Sequence, residues 1–253
     1  MFTFKENLQE GEVNKEKIET NRVVNLDSSV SPEFLKDIKS FYEDCLQNSE
    51  KYTRTKVNAD NLTEKIEGEQ GFYVRVLDTI NKAIKENEGK EVVVFFDIDE
   101  TLTQNKFFKD GGGNSFKTIL RPSALKLLKA IRLGNIRVGF LTSRGNVLED
   151  LEDQLKPLNL LINKECVLSS CSVPISEEES DKMWNEREEL NKSLPREKQF
   201  SYSNADNQKI KILNEFLTKR ENSLIIPVPV DDYKNPLFYK YGVSLSEKEK
   251  FDI

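Results

Sequence analysis

Residues 92–96 of the chain, Val92-Val93-Val94-Phe95-Phe96, form a continuous apolar run that ends on Asp97-Ile98-Asp99-Glu100-Thr101. A short β-branched and aromatic run without polar alternation predicts a strand buried on both faces of a parallel sheet. Three further runs read the same way: Ile136 to Leu141 after the break Gly134-Asn135, the short Cys166 to Leu168, and Leu224 to Val230. Pro227 and Pro229 weaken the centre of the last one, because proline cannot donate to a sheet ladder. Between the runs the apolar spacing is helical, over Pro122 to about Leu133, over 146–156, and from Lys209 to about Lys219. In the last of these Ile210, Leu213, Phe216 and Leu217 are expected to face inward, with Lys209 opening the helix. Strand alternating with helix predicts an α/β fold, a Rossmann-like parallel sheet with helices on both faces.

The pattern upstream is different. Residues 1–30 are polar and unpatterned and read as a flexible arm. Ser31 then caps a helix whose first position is Pro32, and Phe34, Ile38, Phe41, Tyr42 and Cys45 recur at helical spacing. Residues 48–70 are strongly polar, and a second helix is expected over about 71–87, with Val74, Val76, Leu77, Ile80 and Ile84 as its apolar positions. The expected organisation is therefore an arm, a helical extension at 31–90 packed on the core, and a core at 91–253. A small insertion, a helix or flap, lies at about 172–207 and is nearly all charged or polar over 176–200. Met183 and Trp184 within it suit a small local core. Gly111-Gly112-Gly113 is not followed by the Gly-Lys-Ser/Thr of a phosphate loop and reads as a flexible hairpin or flap.

Composition narrows the chemistry. Lysine and arginine number 38 against 44 acidic residues, a net charge of −6, and no long basic block occurs, so nucleic-acid binding is not expected. The chain has no histidine, which excludes Ser-His-Asp and Cys-His catalysis and histidine-based zinc motifs at once. Cys45, Cys166 and Cys171 form no Cys-x-x-Cys pair and no Cys-x5-Arg loop, so neither a zinc site nor a cysteine phosphatase is indicated. The amino-terminal residues turn polar at once, and no apolar run approaches the ~18 residues of a membrane helix. A soluble cytoplasmic protein of a reducing compartment is expected, with secretion as a bacterial effector left open.

Three polar clusters stand at the carboxyl ends of the predicted strands, where open α/β sheets bind ligands: Asp97/Asp99, Thr142-Ser143-Arg144, and Asp231-Asp232. Converging carboxylates without histidine suit a hard cation with oxygen ligands, Mg²⁺ above all. A divalent ion beside Asp, a hydroxyl and a Lys makes chemical sense around a phosphoryl group, whose phosphorus a carboxylate can attack.

With these residues in order the sequence resembles the haloacid dehalogenase superfamily of aspartate-nucleophile phosphohydrolases. Its first motif reads Val92 through Asp97-Ile98-Asp99-Glu100-Thr101, its second Phe140-Leu141-Thr142, its third Lys209, and its fourth Asp231-Asp232. Together they span residues 97–232, just over half the chain. The resemblance implies that Asp97 is the nucleophile and Asp99 the acid and base. It implies phosphate binding by Thr142, with Ser143 its rival and Thr101 and Arg144 beside it. Lys209 would neutralise charge, with Lys211 an alternative at that position, and Mg²⁺ would be held by Asp97, Asp99, Asp231 and Asp232. Asn235 fits a further polar position of the family. An aspartate at 99 points to hydrolysis of a phosphomonoester.

In this family insertions cover the site and select small substrates. The slot from Leu102 to Arg121 is short and that from Ser172 to Asn207 modest, so a sparsely covered site is expected, open to a phosphoprotein such as a phosphotyrosine side chain. Phosphotransfer, a small-metabolite or nucleotide phosphatase, and a non-catalytic binding protein are the alternatives.

Overall fold

The computed structural model describes residues 26–48, 57–110, 113–145, 151–171, 173–195, 199, 204–219, 224–231 and 243–244. Helix α1 (Pro32–Gln47) begins as its sequence dictates: Ser31 Oγ accepts the Phe34 amide at 3.2 Å, and Pro32 occupies the first turn, where a missing N–H costs nothing. It buries Phe34, Ile38, Tyr42 and Cys45. Helix α2 (Leu62–Glu86) starts well before the expected 71. Its buried stripe runs through Glu69, Phe72, Tyr73, Val76, Leu77, Ile80 and Ile84, so a carboxylate occupies a core position that reads as surface in the sequence. The segment before α1 is pinned to α2: Tyr73 donates its hydroxyl to the Asp27 carbonyl (2.9 Å), and Asn81 bonds the Leu26 backbone.

The sheet consists of β1 (Glu91–Phe96), β4 (Arg137–Thr142), β5 (Ile162–Ser169), β6 (Ile225–Asp231) and β7 (Val243–Ser244), in the order β5-β4-β1-β6-β7. All its pairings are parallel. Strands β2 (Thr103–Asp110) and β3 (Gly113–Leu120) form a separate antiparallel hairpin between β1 and helix α3 (Pro122–Leu133). The expected helix over 146–156 is reduced among the described residues to a single turn, α4 (Glu152–Leu155), and a 3-10 turn around Pro157. Helix α5 (Glu177–Lys192) opens on a capping box of Ser176 and Glu179, and helix α6 (Asn204–Thr218) precedes β6. Lys209 therefore stands inside α6 and does not open it. Trp184 is 43% exposed, and the buried side chain of α5 is Arg187.

Successive residues of β1 point to opposite faces. Val92, Val94 and Phe96 join a core with α1, α2 and α3, while Val93 and Phe95 pack with Leu141, Cys166 and the α6 residues Leu213 and Phe216. Each such side chain contributes about 1.5–3 kcal/mol on burial, so the central strand is fixed from both sides. Gly139 of β4 has no room for a side chain, since a Cβ there would lie 2.7 Å from the Phe95 ring. The prolines of β6 are tolerated for a reason of register. The carbonyls of Leu224 and Val230 accept amides of β1, so Pro227 and Pro229 turn the other way, where β7 reaches only Val230 and Asp231. No described helix is long and apolar enough to cross a membrane.

Candidate active site

The end of β1 and the turn after it bring the first group of residues together. Asp97 donates its amide to the Val230 carbonyl (2.8 Å), which aligns the ends of β1 and β6. The Ile98 carbonyl accepts the amides of Leu102 (3.0 Å) and Thr103 (3.1 Å), as well as the Thr103 hydroxyl (3.0 Å). To close so tight a turn Glu100 adopts a φ of +62°, the left-handed region that side chains other than glycine rarely enter. The turn carries Thr101 back toward Asp97, and the buried Thr101 hydroxyl donates to Asp97 Oδ2 at 3.3 Å.

Lys209 completes the centre from α6. Its Nζ lies 2.9 Å from Asp97 Oδ1 and 2.9 Å from Asp231 Oδ2, and all three residues are buried. One ammonium thus serves two carboxylates. Burial, followed by the charge of Asp231, pushes the Asp97 carboxyl up to about 7 against the pull of Lys209. Burial alone would lower Lys209, but Asp231 and Asp97 outweigh it and hold the ammonium above the usual lysine range. Lys211, two residues on and so on another side of the helix, bonds the Pro174 carbonyl and Glu179 of α5 instead.

At the neighbouring strand end Thr142 is buried, and its Oγ1 accepts the Arg144 amide at 3.3 Å, which leaves its hydroxyl hydrogen to donate. Ser143 is exposed and lies 3.2 Å from Ser170, oxygen to oxygen. Arg144 reaches across to Asp99 as a two-point clasp, Nε to Oδ2 at 2.8 Å and Nη2 to Oδ1 at 2.5 Å. Its carbonyl is held by the Ser169 hydroxyl (2.6 Å). Sequence reasoning names both Asp99 and Arg144 but not their union, nor the part of Ser169 and Ser170, since separations of 45 and about 25 residues leave no local signal. Asp232 and Asn235 lie outside the described residues.

No family model, no characterised protein and no solved structure matches the chain. The site has to be judged on its own chemistry.

Among the described residues no group of three or more carboxylate, thiol or imidazole side chains is placed to hold a metal ion. Two carboxylates, of Asp97 and Asp231, however, meet on the one ammonium of Lys209, so these described partners set two acids against one cation. A buried surplus of negative charge with only oxygen donors fits a hard divalent cation such as Mg²⁺. The carboxylates of Asp97 and Asp231 are the described groups that could hold it, with Asp232 next in sequence.

Proposed function

We propose that this protein is a Mg²⁺-dependent phosphatase of the haloacid dehalogenase type, hydrolysing phosphomonoesters through an aspartyl-phosphate on Asp97. The observation that carries the proposal is the buried triad Asp97–Lys209–Asp231 at the ends of two adjacent parallel strands. In the proposed reaction an Asp97 oxygen attacks phosphorus, and the P–O bond to the leaving alkoxide breaks. Asp99 gives the leaving oxygen its proton. It then takes a proton from a water that attacks phosphorus, releasing inorganic phosphate and regenerating Asp97. Lys209 keeps Asp97 oriented and offsets its charge, while Thr142 donates to a phosphate oxygen. Mg²⁺, when bound, supplies the charge stabilisation that two carboxylates and one lysine lack.

Arg144 enters the scheme through Asp99. Its clasp must open for Asp99 to handle protons, and the guanidinium so released is suited to a phosphate oxygen pair. The elements after β1 and β5 are a hairpin and one polar helix, a sparse cover that favours a bulky substrate such as a phosphoprotein side chain. The test is hydrolysis of a generic aryl phosphate by the wild-type protein and Asp97→Asn, with Mg²⁺ and with a chelator. Turnover that requires both Asp97 and the metal supports the proposal. Equal turnover by Asp97→Asn would overturn it. A phosphopeptide panel then addresses the substrate.

A further inference from the structure

A second buried charge cluster lies behind the turn that carries Asp99. Arg121, immediately before α3, directs Nη2 to Glu69 Oε2 of α2 at 3.0 Å and to the Tyr42 hydroxyl of α1 at 2.7 Å. Tyr42 in turn donates to Glu69 Oε2 (2.9 Å), and Glu69 Oε1 accepts the Ser123 amide in the first turn of α3 (3.0 Å). Three helices therefore meet on one guanidinium. Its other terminal nitrogen, Nη1, donates to the Glu100 carbonyl at 2.6 Å, and the Arg121 amide donates to the Leu102 carbonyl at 2.9 Å.

Glu100 is the residue with the left-handed φ, between Asp99 and Thr101. A non-glycine residue persists in that region only when its surroundings over-determine it, and such residues collect at functional turns. The bond from Arg121 reaches its backbone from outside the turn. A packing role alone would be met by Glu69, Tyr42 and Arg121 among themselves. The Nη1 bond satisfies a further buried guanidinium donor, and it does so at a carbonyl of the reactive turn.

Building on the phosphatase reading above, we propose that Arg121 is a positioning residue. Held by Glu69 and Tyr42, it fixes the Glu100 peptide so that Asp99 and Thr101 keep their places beside Asp97. The amino-terminal helices then belong to the catalytic apparatus by way of Arg121.

The variant that isolates this role is Glu69→Gln combined with Arg121→Met. The amide at 69 still accepts from Ser123 and can donate to Tyr42, and no buried charge is left unpaired, so the fold is retained. The bond to Glu100, the ion pair and the Arg121 bond to the Tyr42 hydroxyl are removed together. Amide exchange of residues 98–103 and aryl-phosphate kinetics are read beside the melting temperature. The expected result is a melting temperature within a few degrees of wild type, exchange in the turn at least tenfold faster, and kcat down ~10–100-fold with KM changed less than threefold. Arg121→Lys, which keeps the charge but loses the planar fork, should show the same exchange signature and recover little kcat. Unchanged exchange in the turn in a folded double variant would overturn the proposal, as would unchanged kcat in a wild type that turns over. If the wild type has no phosphatase activity, the exchange measurement still decides whether Arg121 holds the turn, so the two readings fail separately.

Discussion

Two of the buried charge clusters among the described residues are balanced differently. Under the helices, Glu69 pairs directly with Arg121, and Tyr42 and the Ser123 amide occupy further donor and acceptor sites, so the cation has a carboxylate of its own. At the strand ends Asp97 and Asp231 share Lys209, so among the described residues two acids meet on one cation. In the first cluster Arg121 is desolvated, yet Glu69 and Tyr42 more than compensate and keep it firmly charged. In the second, Asp97 is left with a carboxyl near neutrality because burial and Asp231 outweigh Lys209. A balanced cluster joins helices and is finished when the chain folds. A cluster in which two acids share one lysine is, on the proposed reading, completed by a bound cation, the arrangement expected where stability has been traded for chemistry.

The sharpest way to break this contrast is Asp97→Asn. If Asp97 is the nucleophile as proposed, its removal should lower turnover by at least about 10⁴-fold, the scale on which loss of a covalent nucleophile is felt. The same change leaves one carboxylate to one lysine, so the metal-free protein should be as stable as wild type at pH 7.5 or more so. Urea denaturation measures the second quantity. Lost turnover together with a clear loss of stability would mean that Asp97 is a structural ion pair, like Glu69.

Lys209→Met tests the opposite side. It leaves two buried carboxylates facing each other without a cation, and breaking a buried pair in this way costs about 3–5 kcal/mol. Because protonating Asp97 relieves the repulsion, the loss should be smaller at pH 5 than at pH 8. A loss that does not depend on pH would show that the two carboxylates are not coupled.

Wild-type stability should carry the same signature at smaller amplitude. The folded Asp97 carboxyl lies above the ordinary aspartate range, so between about pH 4 and 7 the native state holds more protons than the unfolded chain. Its contribution is then present at the acid end and lost as pH rises through about 7, on the order of a few kcal/mol. Urea midpoints for chelated wild type and Asp97→Asn should diverge across that window, and Mg²⁺ should restore the wild type most at its alkaline end. Parallel curves would remove the charge imbalance on which the contrast rests.

What the sequence discloses follows the same division. The strand-end site is legible because its residues are anchored to short apolar runs: five such residues lead into Asp97, and Phe140-Leu141 lead into Thr142. Lys209 is harder, since a lysine on a polar helix has no local mark, and only geometry separates it from Lys211. The helical cluster is hidden for a different reason. Glu69 shares the stripe of Phe72, Tyr73 and Val76, yet a carboxylate counts as polar in any periodicity, so the stripe looks as though it begins near 71. The signal that was present is an acidic residue in phase with an apolar face, which demands a buried cation, and Arg121 beside a helix-opening proline is a candidate on inspection. The clasp of Arg144 on Asp99 has no sequence mark, because it depends on which strand ends are neighbours.

The smallest expected effect separates joining from reacting within the balanced cluster itself. Tyr42→Phe deletes one hydroxyl that accepts from Arg121 and donates to Glu69, and leaves the ring packed against α2 and Phe41. A neutral buried hydroxyl with charged partners contributes about 1–2 kcal/mol, and the ion pair that remains still directs Arg121 toward Glu100. Stability should therefore fall by about that amount, read as a lower urea midpoint with unchanged slope, while turnover stays within about threefold of wild type. A hydroxyl at the strand-end site, such as that of Thr142, should behave in the reverse manner. Its loss as Thr142→Val should cost little stability and lower turnover by about 10–100-fold, because a donor aimed at developing charge matters chiefly in the transition state. If Tyr42→Phe slowed turnover as much as Thr142→Val, the two clusters would be one functional unit, and the distinction between a finished and an unfinished charge set would not describe this molecule.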